Sequence, residues 1–252
     1  MTTSFSIEGK RAIITGAARG LGRGMAQGLH EAGAELALID MADNIQAIAK
    51  EMGAQGKRVV GVQADLSHRD ELKRGFDEAV KALGGLDILV NNAGITRWSQ
   101  AEAMTEADWD IVLEVNLNSV FFLAQLAGQH MLKQGHGKIV NIASLLSFGG
   151  GYLTVGYAAS KGGVAQMTKA LANEWSGKGI NVNAIAPGYM ATEMNIPLME
   201  DPARNKLIMD RVPAGRWGLP EDLVGALIFL SSSASDYVHG VLLPVDGAFL
   251  AR

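Results

Sequence analysis

A chain of 252 residues can bury one substantial core, and its 22 basic and 26 acidic residues leave a formal charge of −4 with both signs scattered along it. Without a basic stripe a nucleic-acid partner is not expected, and the absence of cysteine excludes disulfides, thiolate metal sites and thiol nucleophiles. The opening MTTSFSIEGKRAII has no basic segment leading into a long apolar stretch, and later apolar runs fall short of the roughly 18 residues that suggest a membrane span. A soluble, cytoplasmic protein with no membrane partner is therefore expected.

Short β-rich runs alternate with helical patterns along the chain. RAIIT (11–15) leads into the Gly-rich TGAARGLGRG, ELALID ends at Asp40, and RVVGVQAD ends at Asp65. HRDELKRGFDEAVKALGG then places Leu72, Phe76, Ala79, Val80 and Leu83 at helical spacing, with its charges on the other side. LDILVNNAG follows, and TEAD reads as a helix start in which Thr105 caps the backbone and Asp108 sits three residues on. That helix should run through VFFLAQLAG and be buried in its later part. KIVNIAS, INVNAIAPG and GVLLPVDG complete the strands. The rhythm is that of an α/β protein, a doubly wound parallel sheet flanked by helices, in a single domain spanning 1–252. No linker or repeat divides it, and the less regular segment 188–216 is expected to cover a substrate.

A glycine turn between an apolar strand and a helix presents backbone N–H groups and the positive end of the helix dipole to an anion. Gly16, Gly20 and Gly22 have the spacing G-x-x-x-G-x-G, and Asp40 stands at the end of the second strand, where a ribose hydroxyl would lie. This reads as a dinucleotide site. Asn91, Asn92 and Gly94 of NNAG, with Asp65, would line the same edge of the sheet. Arg19 invites a phosphorylated ribose and Asp40 repels one; at about 4 Å and an effective dielectric near 20 the two effects are each on the order of 4 kcal/mol. Asp40 also accepts bonds from free ribose hydroxyls, and the following MAD offers no base for a 2′-phosphate. NAD is favoured over NADP, with Arg19 along the adenosine.

Tyr157 and Lys161 are four residues apart in GYAASKGG, so on a helix they share a face. An ammonium beside a phenol favours the phenolate and would lower a pKa that starts near 10 toward neutrality. Ser144 ends KIVNIAS and could bond a substrate oxygen, while Asn116 is an amide in the apolar LEVNLNSVFF and must find partners. Taken with TGxxxGxG, NNAG and PGYMAT, this set resembles the short-chain dehydrogenase/reductase family over essentially the whole chain.

The resemblance implies a single-domain Rossmann fold in which Asn116, Ser144, Tyr157 and Lys161 form the catalytic set. Tyr157 would be the acid/base, Ser144 would orient the substrate oxygen, Lys161 would bond the nicotinamide ribose, and Asn116 would hold a water in a proton relay. The cofactor would lie against Gly16, Arg19, Gly20, Leu21, Gly22, Asp40, Asp65, Leu66, Asn92, Ala93, Gly94, Tyr157, Lys161, Pro187, Gly188, Met190 and Thr192. Asp65 would face the adenine, and Thr192 the carboxamide or a phosphate. Association into a homotetramer through the helices around 112–127 and 157–173 is also implied.

Within the family, RVPAGRWGLPEDLVGALIFLSSSASDYVHG and the tail VDGAFLAR resemble the sugar-acid branch, which acts on 2-deoxygluconate, 2-keto-3-deoxygluconate or gluconate. The substrate contacts would be Arg97, Ser144 and Tyr157. Arg97 either pairs with a substrate carboxylate or stacks on Trp98 at the surface. A 3-oxoacyl-carrier-protein reductase, a neutral polyol or secondary-alcohol dehydrogenase, and a catalytically idle NAD-sensing protein are the rival readings. The five histidines show no metal-ligand spacing, and Met190, Met194, Met199, Met209 and Trp217 read mainly as packing.

Overall fold

The computed structural model describes residues 4–54 and 56–252, so the opening three residues of the chain lie outside the described part. Among the described residues, seven strands form one sheet: β1 (Arg11–Thr15), β2 (Glu35–Asp40), β3 (Val59–Gln63), β4 (Ile88–Asn91), β5 (Gly137–Ile142), β6 (Ile180–Pro187) and β7 (Leu242–Val245). They are ordered β3-β2-β1-β4-β5-β6-β7, and every pairing is parallel. The connections carry α1 (Gly20–Glu31), α2 (Ile45–Gly53), α3 (Arg69–Leu83), α4 (Glu106–Leu113), α5 (Ser119–Gln134), α6 (Val155–Trp175), the short α7 (Ile196–Met199), α8 (Pro202–Met209) and α9 (Val224–Ser231).

The strands are continuous apolar runs because both faces are covered, and alternate residues serve different cores. Ile14, Leu36 and Leu38 pack with Met25, Leu29 and Leu227 on the face of α1, α2 and α9. Ile13, Ala37 and Ile39 turn to the opposite face, against Leu72, Phe76, Leu123 and Leu171 of α3, α5 and α6. The expected apolar stripe of α3 is buried at Leu72, Phe76, Ala79 and Leu83, with Val80 at its margin.

Thr105 caps α4 as expected, its hydroxyl accepting the Asp108 N–H at 3.1 Å. One feature differs from the sequence reading. Helix runs without a break over Glu106–Gln134 and contains an 18-residue window of mean hydropathy 1.5, so by length and composition alone it could cross a membrane. Counting uninterrupted apolar residues misses it, because polar residues are interspersed; here Leu123, Ala124, Ala127 and Met131 pack into the core beside the sheet.

The chain leaves β1 outward to β2 and β3 and then returns to β4 on the other side of β1. Loops at the carboxyl ends of β1 and β4 therefore diverge, which opens the crevice where doubly wound sheets bind ligands.

Candidate active site

The turn after β1 is built so that backbone comes close to whatever occupies the crevice. Gly16 has φ +64°, and a Cβ placed on Gly22 would lie 2.0 Å from the Gly16 carbonyl oxygen, so neither position accepts a side chain. Arg19 stands at the start of α1 without a side-chain hydrogen bond to the helix, and no acidic residue occupies its first turn. The N–H groups at this helix end, with the glycine cradle, fit the pyrophosphate of a dinucleotide. Thr192 lies over the turn, its methyl 3.8 Å from a Cβ placed on Gly20.

The turn is tied to the loop after β4. The Thr15 hydroxyl accepts the N–H groups of Asn92 and Ala93, each at 3.0 Å, and the Asn92 amide donates to the carbonyls of Thr15 (2.9 Å) and Gly16 (3.1 Å). Asn92 thus shapes the site. Asn91 points inward instead, its amide donating to the Asn141 side chain at 2.9 Å, so only one of the two expected amides reaches the cleft. The glycine motif alone gives Thr15 no role; the signal for it is a strand-end hydroxyl one residue before the glycine.

Asp40 accepts the N–H of Ala18 at 2.9 Å and of Ala42 at 3.0 Å, which fixes its carboxylate at the end of β2. Arg19 does not lie back toward it. Its guanidinium reaches across the cleft to Glu193 at 2.6 Å, in an exposed pair that sequence reasoning did not anticipate. Asp65 is occupied by the backbone and hydroxyl of Ser67, at 2.9 and 2.7 Å. Burial pushes its carboxyl up, but these bonds and His68 outweigh that and hold it below the usual range. Leu21, Leu66, Ala93, Gly94, Pro187, Gly188 and Met190 all line the same cleft.

The chemical residues gather at the carboxyl ends of β5 and β6. Ser144 follows β5 and Tyr157 and Lys161 share a face of α6, with the Lys161 Nζ 5.6 Å from the centre of the Tyr157 ring. That Nζ donates to the Ile142 carbonyl at 2.7 Å. Burial lowers its pKa to about 8. The expectation that the ammonium pulls the phenol down is not met here: burial pushes Tyr157 up, and only its hydrogen bond with Ser144 acts the other way. Desolvation outweighs an ammonium that faces a carbonyl rather than the phenol.

Asn116 is held through both ends of its side-chain amide. It sits in a widened turn, Glu114–Asn118, between α4 and α5, and is fully buried. Its amide oxygen accepts the Ile95 N–H and its amide nitrogen donates to the Ile95 carbonyl, both at 2.8 Å, with Ser160 at 3.2 Å. These bonds fix the strip 94–96 in place.

Two chambers meet at these residues. A cleft of about 650 Å³ runs from Asp40 and the glycine turn to Lys161. A second chamber of about 580 Å³ lies under 188–216 and is lined by Tyr152, Tyr189, Leu198, Arg204, Arg211 and Phe249 among others. Ser144 and Tyr157 line both. Arg97 lines only the first and is held by Asp108 at 3.1 Å rather than stacked on Trp98. Of the methionines, Met190 is core and Met194 lines both chambers, while Met209 and Trp217 pack at the edge of a small cluster around Leu198 and Phe249.

The family model for short chain dehydrogenases matches residues 10–203. The chain is a short-chain dehydrogenase. This dehydrogenase is 50% identical over 251 residues to the 2-dehydro-3-deoxy-D-gluconate 5-dehydrogenase of Escherichia coli K12, covering 99% of each chain. It is 41% identical to the gluconate 5-dehydrogenase of Gluconobacter oxydans, covering 96% of this chain and 95% of that one. A gluconate 5-dehydrogenase from Burkholderia cenocepacia, solved in complex with NADP and tartrate, superposes with a TM-score of 0.95 at 40% identity, over 98% of both chains. As a short-chain dehydrogenase the enzyme is an oxidoreductase that uses a nicotinamide cofactor, and its glycine cradle and cleft fit one.

Proposed function

We propose that this dehydrogenase interconverts a secondary hydroxyl and a ketone on a sugar acid of the 2-keto-3-deoxygluconate, 2-deoxygluconate or gluconate type. The observation that carries the reading is that Ser144 and Tyr157 stand where the dinucleotide cleft meets a second chamber large enough for a six-carbon acid. The names and identities of the relatives support the substrate class. A nicotinamide dinucleotide held against the glycine turn, when bound, would supply the hydride chemistry at the substrate carbon. Tyr157 gives or takes the proton on the substrate oxygen, and Ser144 orients that oxygen. Lys161 lies at the cofactor side, where its Nζ would bond the nicotinamide ribose, and Asn116 positions the wall at Ile95.

For the cofactor we propose NAD in preference to NADP. Asp40 is a carboxylate fixed by two backbone N–H groups where a 2′-phosphate would have to sit, and Arg19 is already paired with Glu193. Release of Arg19 from that exposed pair leaves NADP usable as the weaker cofactor, in keeping with the NADP held by the Burkholderia relative. The enzyme is proposed to be cytoplasmic and a homotetramer. Exposed Phe121 and Leu132 on α5 support the association, and a monomeric mass by light scattering would overturn it.

Initial rates with NAD and NADP over gluconate, 2-deoxygluconate, 2-keto-3-deoxygluconate, an oxoacyl thioester and neutral polyols test the whole reading. Sugar acids should be the best substrates. Tyr157→Phe should lower kcat by at least about a hundredfold while leaving dinucleotide binding intact. Asp40→Ala should shift the kcat/KM ratio toward NADP by about tenfold or more. Turnover surviving in Tyr157→Phe would remove the acid/base assignment.

A further inference from the structure

The second chamber has an asymmetry of charge. Among the described residues that line it there is no Asp or Glu, yet two guanidiniums reach it, Arg204 from α8 and Arg211 from the turn that follows. Arg211 has no carboxylate partner among the described residues. Its guanidinium carbon lies 4.2 Å from the centre of the Phe249 ring, and that ring is buried and packs edge-on against Tyr189 at 5.4 Å. Arg204 stands 5.2 Å from the centre of the Tyr152 ring. Its nearest carboxylate, Asp201 at 4.0 Å, is engaged in capping α8 through the N–H groups of Ala203 and Arg204.

Each guanidinium is therefore placed beside an aromatic face; Arg204 Nε keeps Asp201 Oδ2 at 4.0 Å, which leaves Arg211 the less engaged of the two. Such an arrangement is pre-organised for a planar anion. Arg97 lacks these features, since it does not line the chamber and its Nε is bonded to Asp108.

We propose that Arg211, seconded by Arg204, anchors the carboxylate of the substrate, in place of Arg97. The inference rests on the sugar-acid reading. It assigns the acid end of the substrate to the segment 188–216 and the reacting carbon to Ser144 and Tyr157.

The test uses the full-length enzyme carrying Arg211→Gln, Arg211→Lys, Arg204→Gln or Arg97→Gln, with steady-state kinetics on the best sugar acid and on a neutral polyol. Arg211→Gln should raise KM for the acid at least about tenfold, the value of one charged hydrogen bond, with little change in KM for the dinucleotide or the polyol. Arg204→Gln should raise it less, and Arg211→Lys should recover part of the loss. The anchor is overturned if Arg211→Gln leaves the acid KM within about threefold, if acid and polyol suffer equally, or if Arg97→Gln carries the loss instead. A wild-type enzyme that turns over polyols but no acid overturns the sugar-acid reading itself, a result distinct from all of these. Should Arg211→Gln fail to fold, the Arg211→Lys and Arg204→Gln pair still decides the matter by the same KM comparison.

Discussion

At the scale of a residue, Lys161 shows how far spacing carries an argument and where it stops. The four-residue interval to Tyr157 was legible because any helix puts those positions on one face. The direction of the pKa effects was not, because burial is a property of the packed molecule: Lys161 is 3% exposed and its pKa falls to about 8. Between that value and the ordinary 10.5, the unfolded chain holds a proton that the folded chain has released, so this residue's contribution to stability rises with pH across the window. Below about pH 8 the fold carries the full cost of burying the charge. Lys161→Met removes the titration, so its stability relative to wild type should fall by about 2 kcal/mol between about pH 7 and pH 9.5. Urea denaturation of both proteins at the two pH values measures this. A difference independent of pH would mean that the buried ammonium is not destabilised.

At the scale of an element, the strands were readable and the segment over the site was not. A strand buried on both faces advertises itself as an apolar run, and β6, buried along its whole length, is the clearest. The interval after β6 contains only short helices, α7 and α8, whose positions are set by contacts with Tyr189, Trp217 and Phe249 rather than by a periodic pattern. For the same reason Arg204 and Arg211 had no signal in the sequence. The widened turn carrying Asn116 was likewise invisible except as a polar residue in an apolar helix. The glycine turn allows a sharper prediction. A methyl group on Gly22 would meet the Gly16 carbonyl and the Asn92 amide, at 2.0 and 2.5 Å, so strand end, helix and β4 loop cannot keep their present distances. Gly22→Ala should cost about 1–3 kcal/mol of stability and weaken dinucleotide binding at least about tenfold. Gly20→Ala would meet only Thr192, at an ordinary contact distance of 3.8 Å, but has a φ of +54°, so it should cost about 1 kcal/mol and disturb binding less. Calorimetric titration of both variants with the dinucleotide tests the ranking, which equal losses would contradict.

At the scale of the whole molecule, the sheet divides its duties between its two edges. The carboxyl edge carries the cleft, and the amino edge carries a clamp across the same pair of strands, β1 and β4. Arg11 donates from Nε (2.8 Å) and Nη2 (3.0 Å) to Asp87, whose carboxylate also accepts the Arg11 backbone N–H at 2.9 Å, while Nη1 reaches the Gly84 carbonyl at 2.9 Å. Burial pushes the Asp87 carboxyl up, but the bonds from Arg11 outweigh it and hold it below the usual range. A carboxyl held low stabilises the fold above its ordinary titration range, and that stabilisation is lost as pH falls through the folded value. Asp87→Asn should therefore lose about 1–3 kcal/mol near neutrality, and the gap to wild type should close on acidification below about pH 4. Neither residue lines either chamber, so kcat and KM per folded molecule should match wild type at a temperature where both are folded. Melting curves and rates on the same preparation check both halves. If activity falls with stability, the two edges are mechanically coupled through β1 and β4, and the clamp at one end helps set the spacing of the crevice at the other.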